Sequence, residues 1–423
     1  MFGKNLLIKK SFIDFLYMFF SNLFKKVFGF LREMILAFFF GSSIIYSNYL
    51  FLKTIADFFS QFTFGNSLQA NLMPKFTKFF SSNSDVDLNH IFLFTRDISL
   101  KLFVLSQCIQ IPLIWYMDIE NKLVFILVSL ILGLLISLNF INSIFLTIFQ
   151  SNGDFKKHSV ATALNIFLST LFLYPLLLVF NLLGVVISRL IGVLILLFKY
   201  IMPLLSIKSD NRLDIGLRDF NLNVLILGNF ANLIILIGRF VAGIDGSNEI
   251  AFFVYSVIIL NTFLTAVIMN INTLVLKIIS IREGLKLTII STGISFVIGL
   301  AVVFVVDFFG SDIISFIYER GEFNTSDTIR TTFFLKKLSW SFLFIFMATS
   351  LFQPFFTLDT DILRKNAQLL VRYLFVSILG VFSFLFLQSY SHTSNIIFIM
   401  NSLSVIYFIL ALVSFNKYRE YVA

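Results

Sequence analysis

The chain has 423 residues, of which 58% are hydrophobic and only 13% are charged, and its mean hydropathy is +0.94. That much apolar surface excludes a water-soluble protein, and the long continuous apolar runs differ from the alternating segments of an outer-membrane barrel. The composition therefore predicts an all-α polytopic membrane protein. The net charge of +9 is typical of basic cytoplasmic loops, so we expect no nucleic-acid partner.

Windows of about 20 apolar residues predict about twelve transmembrane helices joined mostly by short links. The predicted spans are 12–41, 47–72, 92–117, 122–149, 159–181, 184–206, 220–242, 249–276, 287–309, 331–356, 367–388 and 394–415. Only Pro74–His90 and Gly310–Arg330 are predicted as long links. The first apolar run follows Lys4, Lys9 and Lys10 and lacks a small-residue cleavage site, so we interpret it as a retained helix, not a signal peptide.

The distribution of Lys and Arg between the predicted loops indicates the orientation of the chain. If the N-terminus is inside, the outer loops hold little beyond Lys122, Arg320 and Arg330, and the inner segments hold most of the remaining loop cations. This asymmetry predicts that both termini are cytoplasmic. We expect a multi-pass protein of the bacterial cytoplasmic (inner) membrane.

A weak internal repeat predicts two six-helix lobes. The segment Phe149–Ser159 follows the fourth span, Phe356–Asn366 follows the tenth, and the two align without gaps. Equal position and orientation indicate a parallel pseudo-twofold repeat with an axis along the membrane normal; the alternative is chance similarity between two polar loops. We expect an N-lobe at 1–206, a cytoplasmic linker at 207–219 and a C-lobe at 220–423, with a central cavity between the lobes.

Charged residues lie in the middle of the first apolar helix, Phe24–Gly41. They are Lys25, Lys26, Arg32 and Glu33. A cation near the centre of a spanning helix costs roughly 2.5–3.5 kcal/mol, so it normally faces a wet cavity or a partner. We therefore expect Lys26 and Arg32 to face a central polar cavity. In the alternative interpretation, Lys25 or Lys26 reaches the membrane interface along its apolar stem.

This helix resembles the first helix of the MurJ/MviN family, the lipid II flippases of the multidrug/oligosaccharidyl-lipid/polysaccharide exporter superfamily. The family pattern S-R-V-x-G-F-x-R-[DE]-x-x-x-A-x-x-F-G is matched in spacing by Lys25, Lys26, Val27, Gly29, Phe30, Arg32, Glu33, Ala37, Phe40 and Gly41. The family turn R-G-x-F before the tenth helix is matched by Arg320–Phe323, and a second-helix lysine by Lys53. The resemblance runs from about Asn22 to Asp361.

The chain also departs from the family pattern. The first-helix arginine is Lys26, and the eighth-helix Y-A-D-R-L is replaced by Tyr255–Ile259, which removes another arginine. We expect a shortened form, with about twelve helices where the family usually has two more at the C-terminus.

The resemblance implies a flippase that moves a polyprenyl-diphosphate-linked sugar precursor, with lipid II for peptidoglycan synthesis expected, from the cytoplasmic to the outer leaflet by alternating access. The implied substrate-binding residues are Lys26, Arg32, Lys53, Glu33 and Arg239. Arginine would offer the diphosphate a bidentate fork. Arg239 is alternatively an interfacial anchor, and we interpret Arg189 as such an anchor.

Four glycines are candidate hinges, because they lie in the first and seventh predicted helices, which head the two repeats. They are Gly29, Gly41, Gly228 and Gly238. Close helix packing by small residues is the alternative. The expected driving force is the membrane potential or an ion gradient, since a charge crossing 100 mV gains about 2.3 kcal/mol. Asp57 is the main isolated acid within the spans.

Signals for catalysis and metal binding are poor. His90, His158 and His392 lie in different predicted loops, and no metal-ligand spacing, phosphate-binding loop or nucleophile motif occurs. We predict no enzyme activity, catalytic residue, metal or cofactor. The expected partners are the lipid-linked glycan, membrane lipids and cell-wall synthesis proteins, and the expected state is a monomer.

Two other functions remain open at this point. A cation-coupled small-molecule exporter of the same superfamily would show acids within its helices. A degenerate, non-transporting envelope scaffold would close the cavity with apolar side chains.

Overall fold

The computed structural model describes residues 2–63, 66–80, 87–117, 119, 121–206, 215–216, 221–269, 271–272, 284–358, 360–388 and 391–422. The helices of this part are α1 Phe2–Phe40, α2 Ile44–Thr63, α3 Asn66–Phe80, α4 Asn89–Tyr116, α5 Lys122–Ser151, α6 Phe155–Leu171, α7 Leu173–Phe180, α8 Leu182–Leu196, α9 Met202–Leu205, α10 Leu222–Gly228, α11 Phe230–Gly243, α12 Glu249–Phe263, α13 Gly284–Tyr318, α14 Thr325–Leu351, α15 Thr360–Leu387 and α16 His392–Val422. Two π-helical turns, Leu197–Ile201 and Leu264–Ile268, extend α8 and α12, and a 3₁₀ turn, Gln353–Thr357, follows α14. The predicted all-α class is confirmed.

The helices match the predicted membrane spans closely. Within the described residues, nine helical segments are long and apolar enough to cross a membrane, and the pair α10 and α11 makes a tenth. The two other predicted spans are α1 and α2, which have 39 and 20 residues and carry most of the charged residues discussed above. Their length is sufficient to cross a bilayer. The chain is a multi-pass membrane protein.

The bounds of the two long links predicted from the sequence are wrong, because helices occupy part of each link. Between Gly310 and Arg330 the chain is mostly helical, because α13 continues through an apolar stretch to Tyr318 and α14 begins at Thr325. The start of α14 is fixed by a capping box, in which the Asn324 side chain accepts from the Asp327 amide and the Asp327 carboxylate accepts from the Asn324 amide. In the other link, α3 extends to Phe80, and residues 81–86 lie outside the described residues.

The seventh predicted span, 220–242, is not one straight helix. Its two parts, α10 and α11, meet at Asn229 and differ in direction by 74°. Gly228 is the last residue of α10, immediately before this bend. The predicted span 47–72 covers most of α2, which ends at Thr63, and the first part of α3, which begins at Asn66, and residues 64 and 65 lie outside the described residues.

The chain divides into two compact units. The first comprises Met1–Leu36 and Ile55–Asn221, and the second comprises Ala37–Thr54 and Leu222–Ala423. In the first unit α5 packs against α4 and α8, and α6 packs against α8; in the second, α14 packs against α12, α13 and α16. The predicted linker 207–219 lies outside the described residues, except for residues 215 and 216.

One segment of the predicted N-lobe, residues 37–54, is part of the second compact unit. Residues 37–54, the end of α1 and the first half of α2, group with the second unit and not with the rest of 1–206. The reason is that carbonyl groups at the end of α1 find their partners there. The Phe38 carbonyl oxygen accepts from the Glu322 amide at 3.0 Å, and the Gly41 carbonyl oxygen accepts from the Tyr255 hydroxyl at 2.8 Å.

Candidate functional site

A polar cavity of about 290 Å³ lies within the first unit, where α1, α2, α5, α6 and α8 converge. Its lining residues are Gly29, Arg32, Glu33, Ala56, Asp57, Ser60, Leu132, Leu135, Ile136, Asn139, Asn165, Ile166, Ser169, Arg189 and Val193. Eight of these fifteen residues are polar or charged. Such a lining is unusual in helices that face lipid, because polar groups inside a membrane protein need a partner or water.

Four ionisable side chains reach this cavity from three helices. Arg32 and Glu33 come from α1, Asp57 comes from α2 and Arg189 comes from α8. The two guanidinium groups and the two carboxylates cancel in formal charge. Ionisable residues within spans normally mark the path of a substrate or an ion, and this set could contact both anionic and cationic groups.

Arg32 is the best-defined of these four residues, and it is buried, with 5% of its surface exposed. Its Nη2 donates to the Val185 carbonyl oxygen at 2.8 Å, and its Nη1 donates to the Ser169 carbonyl oxygen at 3.0 Å and to Ser188 Oγ at 3.3 Å. Arg32 therefore links α1 to both α6 and α8 while it lines the cavity. A planar guanidinium suits this role because it presents several donors in a fixed geometry.

Small residues let α6 and α8 approach each other beside the cavity. Gly184, Ser188 and Gly192 recur at every fourth position of α8. A Cβ atom on Gly192 would lie 2.5 Å from Asn165 Oδ1 and 2.6 Å from the Asn165 carbonyl oxygen. Because only glycine fits this approach, α6 and α8 pack closely, as small-residue motifs allow in membranes, and Asn165 is held against the cavity wall.

The structure shows two of the residues predicted to bind substrate in one cavity, that of the first unit. Arg32 and Glu33 share the cavity. Lys26 is partly buried and precedes Glu33 by seven residues, so it lies on the same face of α1 about 10 Å nearer the N-terminus, outside the lining set. Lys53 and Arg239, in α2 and α11, belong to the second unit. The predicted cavity between two lobes therefore stays a prediction.

Two ionisable residues of the cavity were not assigned to the site from the sequence. Arg189, interpreted from the sequence as an interfacial anchor, lines the cavity, and Asp57, interpreted as an isolated acid, lines it together with Arg32, Glu33 and Arg189. A sequence signal for Arg189 does exist. It directly follows Ser188 in the stripe of small residues that marks the packed face of α8.

The four candidate hinge glycines lie in different environments. A Cβ on Gly29 would meet nothing within 4 Å, whereas one on Gly238 would lie 2.5 Å from Met400 Sδ. Gly238 therefore serves close helix packing. Gly41 ends α1 with φ +50°, and Gly228 precedes the 74° bend. Movement at any of the four stays a prediction.

The three histidines lie outside the cavity lining, and the prediction that they lie in loops is wrong, because His90, His158 and His392 each lie in the first turn of a helix. His158 belongs to the first turn of α6 and is buried, with its Nε2 3.1 Å from Gln150 Nε2. His392 begins α16, and its Nε2 lies 3.3 Å from Asp245 Oδ2. Among the described residues, no group of three or more His, Cys, Asp or Glu could hold a metal ion.

No family model matches the sequence, and no characterised protein matches it in a sequence search. Solved structures do match. One described as lipid II flippase MurJ in an inward closed conformation superposes with a TM-score of 0.72 at 16% identity, over 96% of this chain and 87% of that chain. An inward-facing MATE-family multidrug resistance transporter of the MOP superfamily gives 0.63 at 16% identity, over 97% of this chain and 94% of that chain.

A MOP-superfamily transporter from Pyrococcus furiosus, described as having a binding pocket of reverse polarity that suggests a different function, gives a TM-score of 0.56 at 16% identity. The match covers 98% of this chain and 94% of that chain. Since these identities are low, the comparisons bear on the fold. The chain has the fold of the MOP-superfamily transporters.

Proposed function

We propose that this chain is a transporter that moves a lipid-linked sugar carrying a diphosphate from the cytoplasmic to the outer leaflet by alternating access. The observation that carries the proposal is the convergence of Arg32 and Arg189 on a polar cavity inside a membrane-spanning unit. Lys26 adds a cation on the Glu33 face of α1, about 10 Å from that residue along the helix. Lipid II is the expected substrate, and the membrane potential or an ion gradient is the expected driving force.

The chemistry of such a substrate fits this arrangement. A diphosphate that enters a low-dielectric helix bundle needs nearby cations to compensate its negative charge. One arginine side chain can bind two phosphate oxygens at once through two parallel hydrogen bonds. A cavity of about 290 Å³ is at the small end of ligand sites. It would therefore receive the phosphate end of the headgroup, while the polyprenyl chain stays in the surrounding lipid. Arg32 would act here mainly as a positioning residue, because its guanidinium already bonds to α6 and α8.

The fold comparison supports a flippase. The MurJ structure superposes with a TM-score of 0.72, against 0.63 and 0.56 for the two other transporters described above. The polar lining counts against a non-transporting scaffold, which we expected to close its cavity with apolar side chains.

Glu33 and Asp57 support a second candidate, a cation-coupled small-molecule exporter. Both carboxylates line the same cavity, and acids within the helices are the feature expected of such an exporter. A proton or a metal cation bound between them would couple its gradient to transport. Under this proposal the two arginines orient the carboxylates and make no contact with a phosphate.

Reconstitution into proteoliposomes with a fluorescent polyprenyl-diphosphate-linked sugar tests the first candidate. We expect the wild type to expose the label to an external quencher, Arg189→Ala to lose at least 90% of that rate, and Arg96→Ala to retain it. Arg96 is a suitable control because it is exposed and pairs with its neighbour Asp97. Equal rates in protein-containing and empty vesicles would contradict the flippase, and uptake of a small cation driven by a sodium or proton gradient would favour the exporter.

Depletion of the protein from its host identifies the natural substrate. The proposal predicts that one lipid-linked precursor accumulates on the cytoplasmic side of the membrane, and mass spectrometry would give its sugar. An unchanged pool of lipid-linked precursors would contradict the proposal.

A further inference from the structure

Two turns that are far apart in the sequence meet backbone to backbone within the second unit. Gly41, which ends α1, and Gly321, between α13 and α14, both have positive φ, at +50° and +62°. A Cβ on Gly41 would lie 2.4 Å from the Glu322 carbonyl oxygen, and one on Gly321 would lie 2.3 Å from the Phe38 carbonyl oxygen. The contact therefore requires glycine on both sides, for conformation and for space.

Polar bonds hold the two turns together. The Glu322 amide donates to the Phe38 carbonyl oxygen at 3.0 Å, and Ser42 Oγ donates to Asp327 Oδ1 at 2.6 Å. The other oxygen of Asp327 accepts from the Asn324 amide at 3.0 Å. One carboxylate thus caps α14 and holds the turn after α1, so the position of Ser42 is tied to the start of a helix.

Buried aromatic rings lie beneath these bonds. The ring of Tyr255 lies 4.9 Å from that of Tyr318, 5.3 Å from that of Phe323 and 6.0 Å from that of Tyr46. All four side chains are at most 1% exposed. Tyr255 also donates its hydroxyl to the Gly41 carbonyl oxygen. The aromatic side chains of this contact are therefore buried from water, whereas Gly321 and Glu322 are exposed. Water can replace the hydrogen bonds at the exposed residues when the two turns separate.

The position of this contact in the chain suggests its purpose. Residues 37–54 group with the second unit. The part of α1 before them and the part of α2 after them belong to the first unit. We propose that the turn of Phe38–Ser42 and the turn of Arg320–Asp327 form a latch that closes in one state of the protein and opens in another. The latch would serve the transport function proposed above, and with the predicted cytoplasmic termini it would lie on the outer side of the membrane.

Spin-label distance measurements in liposomes test the latch without a substrate. In a Cys108→Ala background, labels at Ile45→Cys and Ser326→Cys sit on exposed positions on either side of the contact. We expect a short distance and a longer one in the otherwise unchanged protein. Gly321→Ala should raise the population with the longer distance at least threefold, because the added methyl group would clash with the Phe38 carbonyl oxygen.

Labels at Trp340→Cys and Ile409→Cys, on α14 and α16 of the second unit, form the control pair. Their distance should not respond to Gly321→Ala, which also shows that the variant is folded. Tyr255→Phe, which removes only the hydroxyl, should shift the Ile45–Ser326 population in the same direction by a smaller factor.

A single Ile45–Ser326 distance that neither variant changes would overturn the latch, as would an equal response of the control pair. The latch and the proposed function can fail separately. Two distances in a protein that flips no lipid-linked sugar would support the latch and contradict the flippase.

Discussion

The Nη1 atom of Arg32 lies 3.0 Å from the carbonyl oxygen of Ser169, in the last turn of α6. The last four carbonyl groups of an α-helix have no partner within the helix, and a cation near that end is favourable. Arg32 therefore caps α6 from a different helix and, through Val185, also holds α8. Arg32, which the sequence predicts to bind substrate, therefore also holds together three of the helices that line the cavity.

Replacing Arg32 with alanine should destabilise the first unit. Hydrogen bonds to a charged group contribute about 1.5–3 kcal/mol each, so we expect Arg32→Ala to lower the free energy of unfolding by roughly 3 kcal/mol. Thermal unfolding in detergent, followed by circular dichroism, measures this change. Arg96→Ala, at an exposed position, is the control and should stay within about 0.5 kcal/mol of the wild type. Equal stability of the two variants would contradict the structural role of Arg32.

Lys26→Ala should impair transport and leave stability unchanged. Lys26 is partly buried on the face of α1 that carries Glu33, so its ammonium group can meet the diphosphate on its way to the cavity. We expect at least a tenfold loss of flipping rate with a normal unfolding temperature. Lys101→Ala, at an exposed position of α4, is the matched control. A flipping rate within twofold of the wild type for Lys26→Ala would remove Lys26 from the pathway.

Asp57→Asn separates the two candidate functions. The substitution removes one of the two carboxylates of the cavity and keeps the shape of the side chain. In a flippase, binding of the anionic headgroup should be retained or strengthened, since a negative charge near the phosphate is lost. In a cation-coupled exporter, the dependence of transport on the ion gradient should disappear. Flux measured with and without an imposed proton or sodium gradient distinguishes the two results.

Gly29→Ala tests whether α1 bends at Gly29. A Cβ at this position meets nothing within 4 Å, and the same holds for Gly293 in α13. Both alanine variants should therefore fold and gain roughly 0.5–1 kcal/mol of stability from helix propensity. If Gly29 is a hinge, only Gly29→Ala will slow transport several-fold. Equal transport rates for both variants would leave α1 as a rigid helix.

Glu319 should make the turn between α13 and α14 sensitive to acid. Hydrogen bonds from Ser315, Thr328 and Thr325 lower the pKa of the Glu319 carboxyl below its ordinary value of 4.5. Because the pKa is lower in the folded protein, the ionised carboxylate stabilises the fold above about pH 4.5, and this contribution is lost as the pH falls through the folded pKa. Glu319→Gln should abolish this part of the pH dependence of the unfolding temperature between about pH 3 and 6. An identical pH profile for the variant would contradict the assignment.

Hydrophobicity and charge were sufficient to predict the helices but not the direction in which each one faces. Continuous apolar runs marked the spans because side chains that face lipid and side chains that pack inside the protein are both apolar. For the same reason, hydrophobicity does not distinguish the two faces of a span such as α8, and only the small residues Gly184, Ser188 and Gly192 marked the packed face near Arg189. The long link after Gly310 was wrong because a polar capping sequence, Asn324–Asp327, resembles a loop until its hydrogen bonds are known.

The sequence also could not show which distant segments meet. Gly41 and the Arg320–Phe323 turn were each noted as separate parts of a family pattern, and their mutual contact depends on the folded chain. Lys26, Arg32 and Lys53 were grouped because all are cations in the first two helices. The structure assigns Lys53 to the second unit, so a site that it shares with Lys26 and Arg32 stays a prediction.

The most direct test of the central claim, that the cavity of the first unit receives a phosphate-bearing headgroup, is lipid binding measured by native mass spectrometry. Wild-type protein should bind a polyprenyl diphosphate at least tenfold more tightly than the corresponding polyprenyl alcohol, and Arg189→Ala should lose that preference while Arg96→Ala keeps it. Equal binding of diphosphate and alcohol by the wild type, or an undiminished preference in Arg189→Ala, would contradict the account.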